Sequence, residues 1–343
     1  MILFTGATGF IGRRLLKLLT ANYPSQEIIC LVHDSANPAI EANGLELLRS
    51  YKITALPVDL LTGKGLEKIP KRPDVVFHLA SGTDTSEREH RINDIGTKNL
   101  LEAVGPLGPN SHFIFTSSIA VNDCRRDFTR PIDEYTETPV RPCHEYGRRK
   151  LMAEKYLQEK SKEQGFQLSI VRICGVYGPD SRHGGLFSSL DELVRRGSFV
   201  SKLNWPGKIG LIYVEDMAQY LVLVSQRKIS GQTIYLPAVE SLSCSEMSTV
   251  IHQAYNLTYA PARLPNWVWN MGRFFARRKN VFERILPHKI YNKFWQFCLI
   301  VNGEYWYAPR KNAQYFPDWR PRSFKQYYSN KIKKDGRELS AVA

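Results

Sequence analysis

The stretch Ile2-Leu3-Phe4-Thr5-Gly6-Ala7-Thr8-Gly9-Phe10-Ile11-Gly12-Arg13-Arg14-Leu15-Leu16 decides the fold of this chain. An apolar run of strand length meets three glycines spaced three apart, and apolar residues then return at helical spacing. Strand, sharp turn and helix follow in that order. The chain must turn at Gly6, bring bare backbone to the outside at Gly9, and pack helix on strand at Gly12. A loop of that shape aims the N–H groups of a helix N-terminus at an anion such as a pyrophosphate, which a side chain at those positions would block.

Working outward, further apolar runs at 28–32, 75–79, 113–116 and 168–172 read as buried strands, and 12–19, 93–104 and 146–164 carry apolar residues at helical spacing. Buried strands alternating with crossover helices predict an α/β fold, a Rossmann-type doubly wound parallel sheet over residues 1–180. After Gly178-Pro179 the alternation fades. Helices are expected at 186–196, 214–224 and 245–254, and again at 266–278 and 289–300, within a smaller C-terminal substrate region of residues 181–328. Residues 329–343 read as a polar, disordered tail.

With 343 residues the chain can bury a large core unaided. Its six cysteines, Cys30, Cys124, Cys143, Cys174, Cys244 and Cys298, are scattered singly, so they read as reduced structural thiols with no metal-ligand spacing among them. Strand text begins at Ile2, which leaves no room for a signal peptide, and the most apolar stretch, 211–224, is broken by Glu215 and Asp216. A cytoplasmic protein without a membrane span is the expectation. The net charge of +14 is concentrated at the end, where seventeen Lys/Arg face five Asp/Glu from Arg263 onward, together with five of the six tryptophans. The short run Lys331-Ile332-Lys333-Lys334 reads as a solvated end, and no nucleic-acid partner is expected.

Tyr146 and Lys150 stand four apart on an expected helix, so phenol and ammonium share one face. A phenol titrating near 10 is a poor base at neutral pH, and an adjacent cation stabilises its phenolate enough for proton exchange with a hydroxyl. Upstream, Phe115-Thr116-Ser117-Ser118 ends a strand at the carboxyl edge of the sheet, where open α/β folds place their ligands. Ser118 is placed to hydrogen-bond a reacting oxygen there, with Ser117 as the fallback.

These features together resemble the extended short-chain dehydrogenase family, also called the NAD-dependent epimerase/dehydratase family, across most of residues 1–328. Thr5 to Gly12 is similar to its TGxxGxxG loop, Val76 to Ala80 to its HxA signature, and Tyr146 to Lys150 to its YxxxK pair. Asn93 to Ala103 resembles NxxGTxNLLEA, Arg172 to Pro179 resembles RxxxVYGP, and Ile212 to Ala218 resembles hxVxDhA. The resemblance implies hydride transfer at nicotinamide, with Tyr146 as acid/base, Lys150 binding the nicotinamide ribose and tuning Tyr146, and Ser118 orienting the substrate oxygen. It implies cofactor contacts from Gly6, Thr8, Gly9, Phe10, Ile11 and Gly12 in the loop, from His33 and from Asp59 and Leu60. Leu79, Ala80 and Ser117 complete that set, with His78 structural. At the end of the second strand His33 occupies the position beside the adenosine ribose, Asp34 stands one place beyond it, and Arg13 is near. The cofactor is therefore expected to be NADP or NAD, with NADP favoured.

Two departures bear on the substrate. Nucleotide-sugar epimerases of the family carry Asn where Gly175 stands, and an SVxxP-like segment where this chain has the polar run Ser81 to Arg88. The aromatic and basic stretch around Trp267, Trp269, Phe274, Phe275, Arg277 and Arg278 looks more like the hydroxysteroid-dehydrogenase and dihydroflavonol-reductase-like branches, which take lipophilic alcohols or ketones. That stretch reads as an aromatic, basic lid, with peripheral membrane contact through residues 265–300 as the alternative. A homodimer paired through helices of the α/β domain is what the resemblance implies. The competing readings are a nucleotide-sugar epimerase or dehydratase that returns its hydride, and a non-catalytic NAD(P)-binding sensor.

Overall fold

The computed structural model describes residues 1–33, 38–83, 89–123, 130–142, 144–181, 185–228, 232–303 and 305–331. Its main sheet is built from β1 (Ile2–Thr5), β2 (Ile28–Val32), β3 (Thr54–Pro57), β4 (Val75–His78), β5 (His112–Ser118) and β6 (Gln167–Ile173), with Gln232–Tyr235 as a seventh strand. The strand order is β3-β2-β1-β4-β5-β6 with the strand at Gln232–Tyr235 on the far edge, and every neighbouring pair is parallel. The chain runs outward from β1 to β3, then returns to lay β4 on the other side of β1. The resulting switch point, between the carboxyl ends of β1 and β4, is where open α/β sheets leave a crevice.

Helices cover both faces. Leu3 and Phe4, adjacent on β1, point into different cores, as strand alternation requires. Phe4 joins Leu15 and Leu16 of α1 (Gly12–Asn22), while Leu3 joins Leu100, Leu101 and Val104 of α3 (Ile95–Val104). On the α1 side α2 (Pro38–Ser50) adds Leu48, and on the α3 side α4 (Glu145–Gln164) adds Ala153 and Leu157. Gly105 and Gly165, both with positive φ, end α3 and α4.

A smaller sheet follows, from β7 (Gly175–Tyr177), β8 (Lys208–Tyr213) and the strand Glu240–Ser243, in which the last pairs antiparallel with β8. Around it stand α5 (Leu186–Arg195), α6 (Val214–Arg227) and α7 (Cys244–Ala254). The capping box of Ser243 with Glu246 sets the start of α7. The division expected at residue 180 is crossed by the chain: α6 packs on α1, and Gln232–Tyr235 completes the first sheet. The expected helix at 266–278 is α8 (Asn266–Ala276); α9 (Lys279–Ile285), which the sequence did not suggest, follows it, and then α10 (His288–Asn302). A last helix spans residues 324–331, so the expected tail begins three residues inside helix, and Lys331 reaches Asp191 at 3.2 Å.

Cys30, Cys174, Cys244 and Cys298 are buried thiols, and Cys124 and Cys143 lie outside the described residues. Among the described residues no helix is long and apolar enough to cross a membrane.

Candidate active site

At the switch point the glycine loop meets the end of β4. Gly6 has φ +75, and a Cβ there would lie 2.7 Å from the Ala80 nitrogen, so the turn at 6 and the Leu79-Ala80 backbone fit only without a side chain. A Cβ on Gly12 would fall 1.9 Å from the Gly6 carbonyl oxygen. Gly9, by contrast, is exposed and closes the turn by donating to Gly6 O at 3.2 Å. The N-cap of α1 is Ile11, which offers no side-chain acceptor, and its first turn holds no acidic residue. Arg13 N and Arg14 N are taken by Gly9 O (3.0 Å) and Ile11 O (3.1 Å), so what the loop offers an anion is the positive end of the helix with the bare Gly9 backbone in front of it. Thr8 is buried behind the loop, while Phe10 and Ile11 are half-buried on its outer part.

Behind the loop runs a directional hydrogen-bond chain. Ala80 N donates to Thr5 Oγ1 (3.0 Å), and Thr97 Oγ1 donates to Asn93 O (2.8 Å). His78 lies between them, with Nδ1 2.7 Å from Thr5 Oγ1 and Nε2 2.9 Å from Thr97 Oγ1. Thr97 has given its hydrogen to Asn93, so Nε2–H donates to Thr97, and with the ring neutral Nδ1 accepts from Thr5. Burial, aided by the charge of Lys150, pushes its pKa down to about 3, in keeping with that structural role.

Tyr146 enters from the first turn of α4. His144 caps that helix, its Nδ1 accepting from Tyr146 N at 3.2 Å. Gly147 presses on the short turn Ile119–Asn122, where a Cβ would stand 2.2 Å from Ala120 O. Ser118 caps the same turn by accepting from Ala120 N at 3.2 Å. The close approach carries the phenol to the hydroxyls of Ser118 and Ser81. Burial raises its pKa, and these two hydroxyls pull it partly back. Ser81 Oγ donates to Asn93 Oδ1 at 2.6 Å, and the Asn93 amide nitrogen in turn donates to Gly82 O and His90 O, both at 3.1 Å, which ties the 81–82 backbone to the turn ahead of α3.

One turn on, Lys150 is 1% exposed, with Nζ donating to Thr116 O at 2.9 Å and lying 4.7 Å from the Phe115 ring centre. Burial pushes its pKa down to about 7 against the pull of Glu154. Ser117 is buried with its Oγ unpaired and is not brought to the phenol, so of the two serines only Ser118 joins it. His33 is exposed at the end of β2, 3.8 Å from Asp59 Oδ1. Asp34 lies outside the described residues. The Asp59 carboxylate is engaged by Leu61 N (2.8 Å), Thr62 N (3.2 Å) and Thr62 Oγ1 (2.7 Å). Burial would raise its pKa, and those bonds outweigh burial and hold it below the usual carboxylate range. Leu60 is buried in the core, its carbonyl accepting from Asn99 at 2.8 Å.

The model of the NAD dependent epimerase/dehydratase family matches residues 2–236, more than half of the chain. The chain belongs to that family. It is an NAD(P)-dependent enzyme that acts on a small-molecule substrate. UDP-glucose 4-epimerase of Vibrio cholerae is 27% identical over 297 residues, covering 83% of this chain and 84% of that protein. Tetraketide alpha-pyrone reductase 1 of Arabidopsis thaliana is 26% identical over 272 residues, covering 76% of this chain and 82% of that one. In fold, the chain superposes on UDP-glucuronic acid 4-epimerase from Bacillus cereus, a structure in complex with UDP-glucuronic acid and NAD, with a TM-score of 0.69 at 21% identity, covering 97% of this chain and 99% of the other.

Other family motifs hold the scaffold. Arg172 forms a buried two-pronged pair with Glu154 at 3.0 and 2.7 Å, and Asp216 accepts from the backbone N–H of Arg322 at 2.7 Å. The sequence reading missed Ser81, Gly147 and the pair of arginines inside YGRRK. Arg148 binds Glu283 of α9 at 2.6 Å, and Arg149 binds Asp94 at 2.9 Å. Lys279 pairs with buried Asp123, which also accepts from Trp295 Nε1 at 2.9 Å, and Trp295 packs on His144 with ring centres 4.6 Å apart. The aromatic, basic segment is thereby tied to the cap of the helix that bears Tyr146. A Cβ at Gly175 would stand 3.0 Å from the Phe187 ring. Of the polar run from Ser81 to Arg88, residues 84–88 lie outside the described residues.

Proposed function

We propose that this family member transfers hydride between NADP and a lipophilic alcohol or ketone, with Tyr146 as acid/base. The observation that carries the reading is the meeting of the Tyr146 phenol with the Ser118 and Ser81 hydroxyls, one helical turn from buried Lys150. The Gly6, Thr8, Gly9, Phe10, Ile11 and Gly12 loop would hold the pyrophosphate. Leu79, Ala80 and Ser117 would line the floor, His33, Asp59 and Leu60 the adenosine end, and Lys150 would take the nicotinamide ribose. The nicotinamide supplies the hydride chemistry when bound.

In the reducing direction Tyr146 gives its phenolic proton to the substrate oxygen, and in the oxidising direction it takes that proton back. Ser118 accepts from Ala120 N and so keeps its own hydrogen for the substrate oxygen. Charged Lys150 lowers the cost of the phenolate left on Tyr146.

Support for NADP comes from the end of β2, where His33 replaces a ribose-binding carboxylate and the nearby Asp59 is engaged in its own turn. Support for a lipophilic substrate comes from Gly175: the place of a polar side chain there is taken by the ring of Phe187. The epimerase relative favours a second reading, in which the same residues return the hydride to a nucleotide sugar. A fluorescence titration with NADH and NADPH, followed by turnover with hydrophobic ketones and nucleotide sugars, separates them. Tighter NADPH binding and stoichiometric NADPH oxidation by a ketone are expected. Sugar conversion without net nicotinamide turnover would overturn the proposal.

A further inference from the structure

Helix α8 is apolar on two opposite sides. Trp269, Gly272 and Ala276 are buried, and Trp205 packs on Trp269 with ring centres 5.1 Å apart. On the other side Trp267 (65% exposed), Met271, Phe274 and Phe275 form a stripe about 100° wide at helical spacing. One apolar stripe suffices to dock a helix on a core; of the outer one Phe275 meets Phe282 of α9 edge-on, with ring centres 6.0 Å apart, and the stripe otherwise stays open to solvent. Val281 and Ile285 of α9 and Ile290 of α10 are exposed as well.

The charge around this surface has one sign. Residues 263–300 carry eight Lys/Arg and one acid, Glu283. Glu283 is engaged by Arg148 and Lys279 is buried against Asp123, so neither changes the outer charge. Of the other seven cations all but half-buried Arg273 are exposed. Arg278 stacks on the Phe274 ring at 3.7 Å from its centre, which keeps guanidinium and aromatic groups at one level. Arg273, Arg277 and Arg278 share a shallow depression with Asn270 and Phe274.

We propose that the outer face of α8, α9 and α10 rests on an anionic lipid bilayer. Trp267, Phe274 and Phe275 enter the interfacial layer, and the arginines and lysines bind lipid phosphates at its edge. A second copy of the chain is a poor occupant, because a two-fold contact would set these cations against themselves. The inference rests on the surface alone and stands apart from the choice of substrate.

The test is flotation of the full chain with vesicles of phosphatidylcholine, with and without phosphatidylglycerol. Binding only to the anionic vesicles, weakened by salt, is expected. The triple variant Trp267→Ser, Phe274→Ser, Phe275→Ser should lose it, while binding NADPH as wild type does. The pair Arg277→Gln, Arg278→Gln should weaken partitioning about 30-fold, taking roughly 1 kcal/mol per basic residue, and it serves alone if the triple variant does not fold. Equal binding to neutral vesicles, no binding to anionic ones, or full retention by the Gln pair would overturn the proposal. So would a serine variant that binds lipid normally, or one that changes the oligomeric state, which would show a protein on this face.

Discussion

Replacing Lys150 by Met should stabilise the protein in the absence of nucleotide while removing its activity. Burial pushes the ammonium from 10.5 to about 7, against the opposing pull of Glu154. At about 1.4 kcal/mol per pKa unit, the folded protein carries the charged form at a cost of about 5 kcal/mol. In the unfolded chain the same lysine stays protonated up to about pH 10.5, so between about pH 7 and 10.5 the unfolded state holds the extra proton and wild-type stability rises with pH. The cost is present in full below about pH 7 and gone above about pH 10.5. Met carries none of this dependence and leaves only the Thr116 carbonyl without its 2.9 Å partner, a loss of about 1–3 kcal/mol. The variant should then be more stable by about 2–4 kcal/mol near pH 6, with the gap closing and reversing as pH approaches about 10. Urea unfolding of both proteins across that range, without nucleotide, measures it. A difference that does not change with pH, or a variant weaker than wild type near pH 6, would refute the reasoning about the buried ammonium.

Tyr146→Phe should lower turnover about 10²- to 10⁴-fold with NADPH affinity unchanged, read by steady-state rates beside a fluorescence titration. Ser81→Ala removes one partner of the phenol and of Asn93, and should reduce kcat about 5- to 10-fold, the worth of one hydrogen bond of about 1 kcal/mol. Gly147→Ala must push the α4 start away from Ala120 O, 2.2 Å from the new carbon, and a shift near 1 Å should cost up to about 100-fold in kcat with the cofactor Kd nearly unchanged. Gly175→Asn meets the Phe187 ring and should lower Tm without creating nucleotide-sugar turnover, which an activity screen of the variant checks.

The alternating part of the fold was legible because its strands are buried on both faces and its helices are one-sided: β1 and β2 begin and end where the sequence places them. The helix α2 escaped because the turn-prone Asn37-Pro38 at its start and Gly44 inside it argue against a helix. Residues 232–235 gave no sign of the sheet they join, since pairing partners distant in sequence leave no local mark. Tyr146, Lys150 and Ser118 could be named from spacing and from the edge on which they fall. Ser81 could not, because its contact with the phenol depends on Asn93 holding the 81–82 backbone. His144 is an uncommon helix cap, and Gly147 shows its purpose only against Ala120. The aromatic, basic segment was visible as composition, but its anchoring through Asp123 and Glu283 joins residues more than a hundred positions apart.

The most direct test is a crystal structure of the NADPH complex, measuring the separation of the Tyr146 phenolic oxygen from nicotinamide C4. The account predicts a distance of about 5 Å, enough for a substrate carbonyl to bridge the two. A phenol turned to bulk solvent, or more than about 8 Å from that carbon, would contradict it.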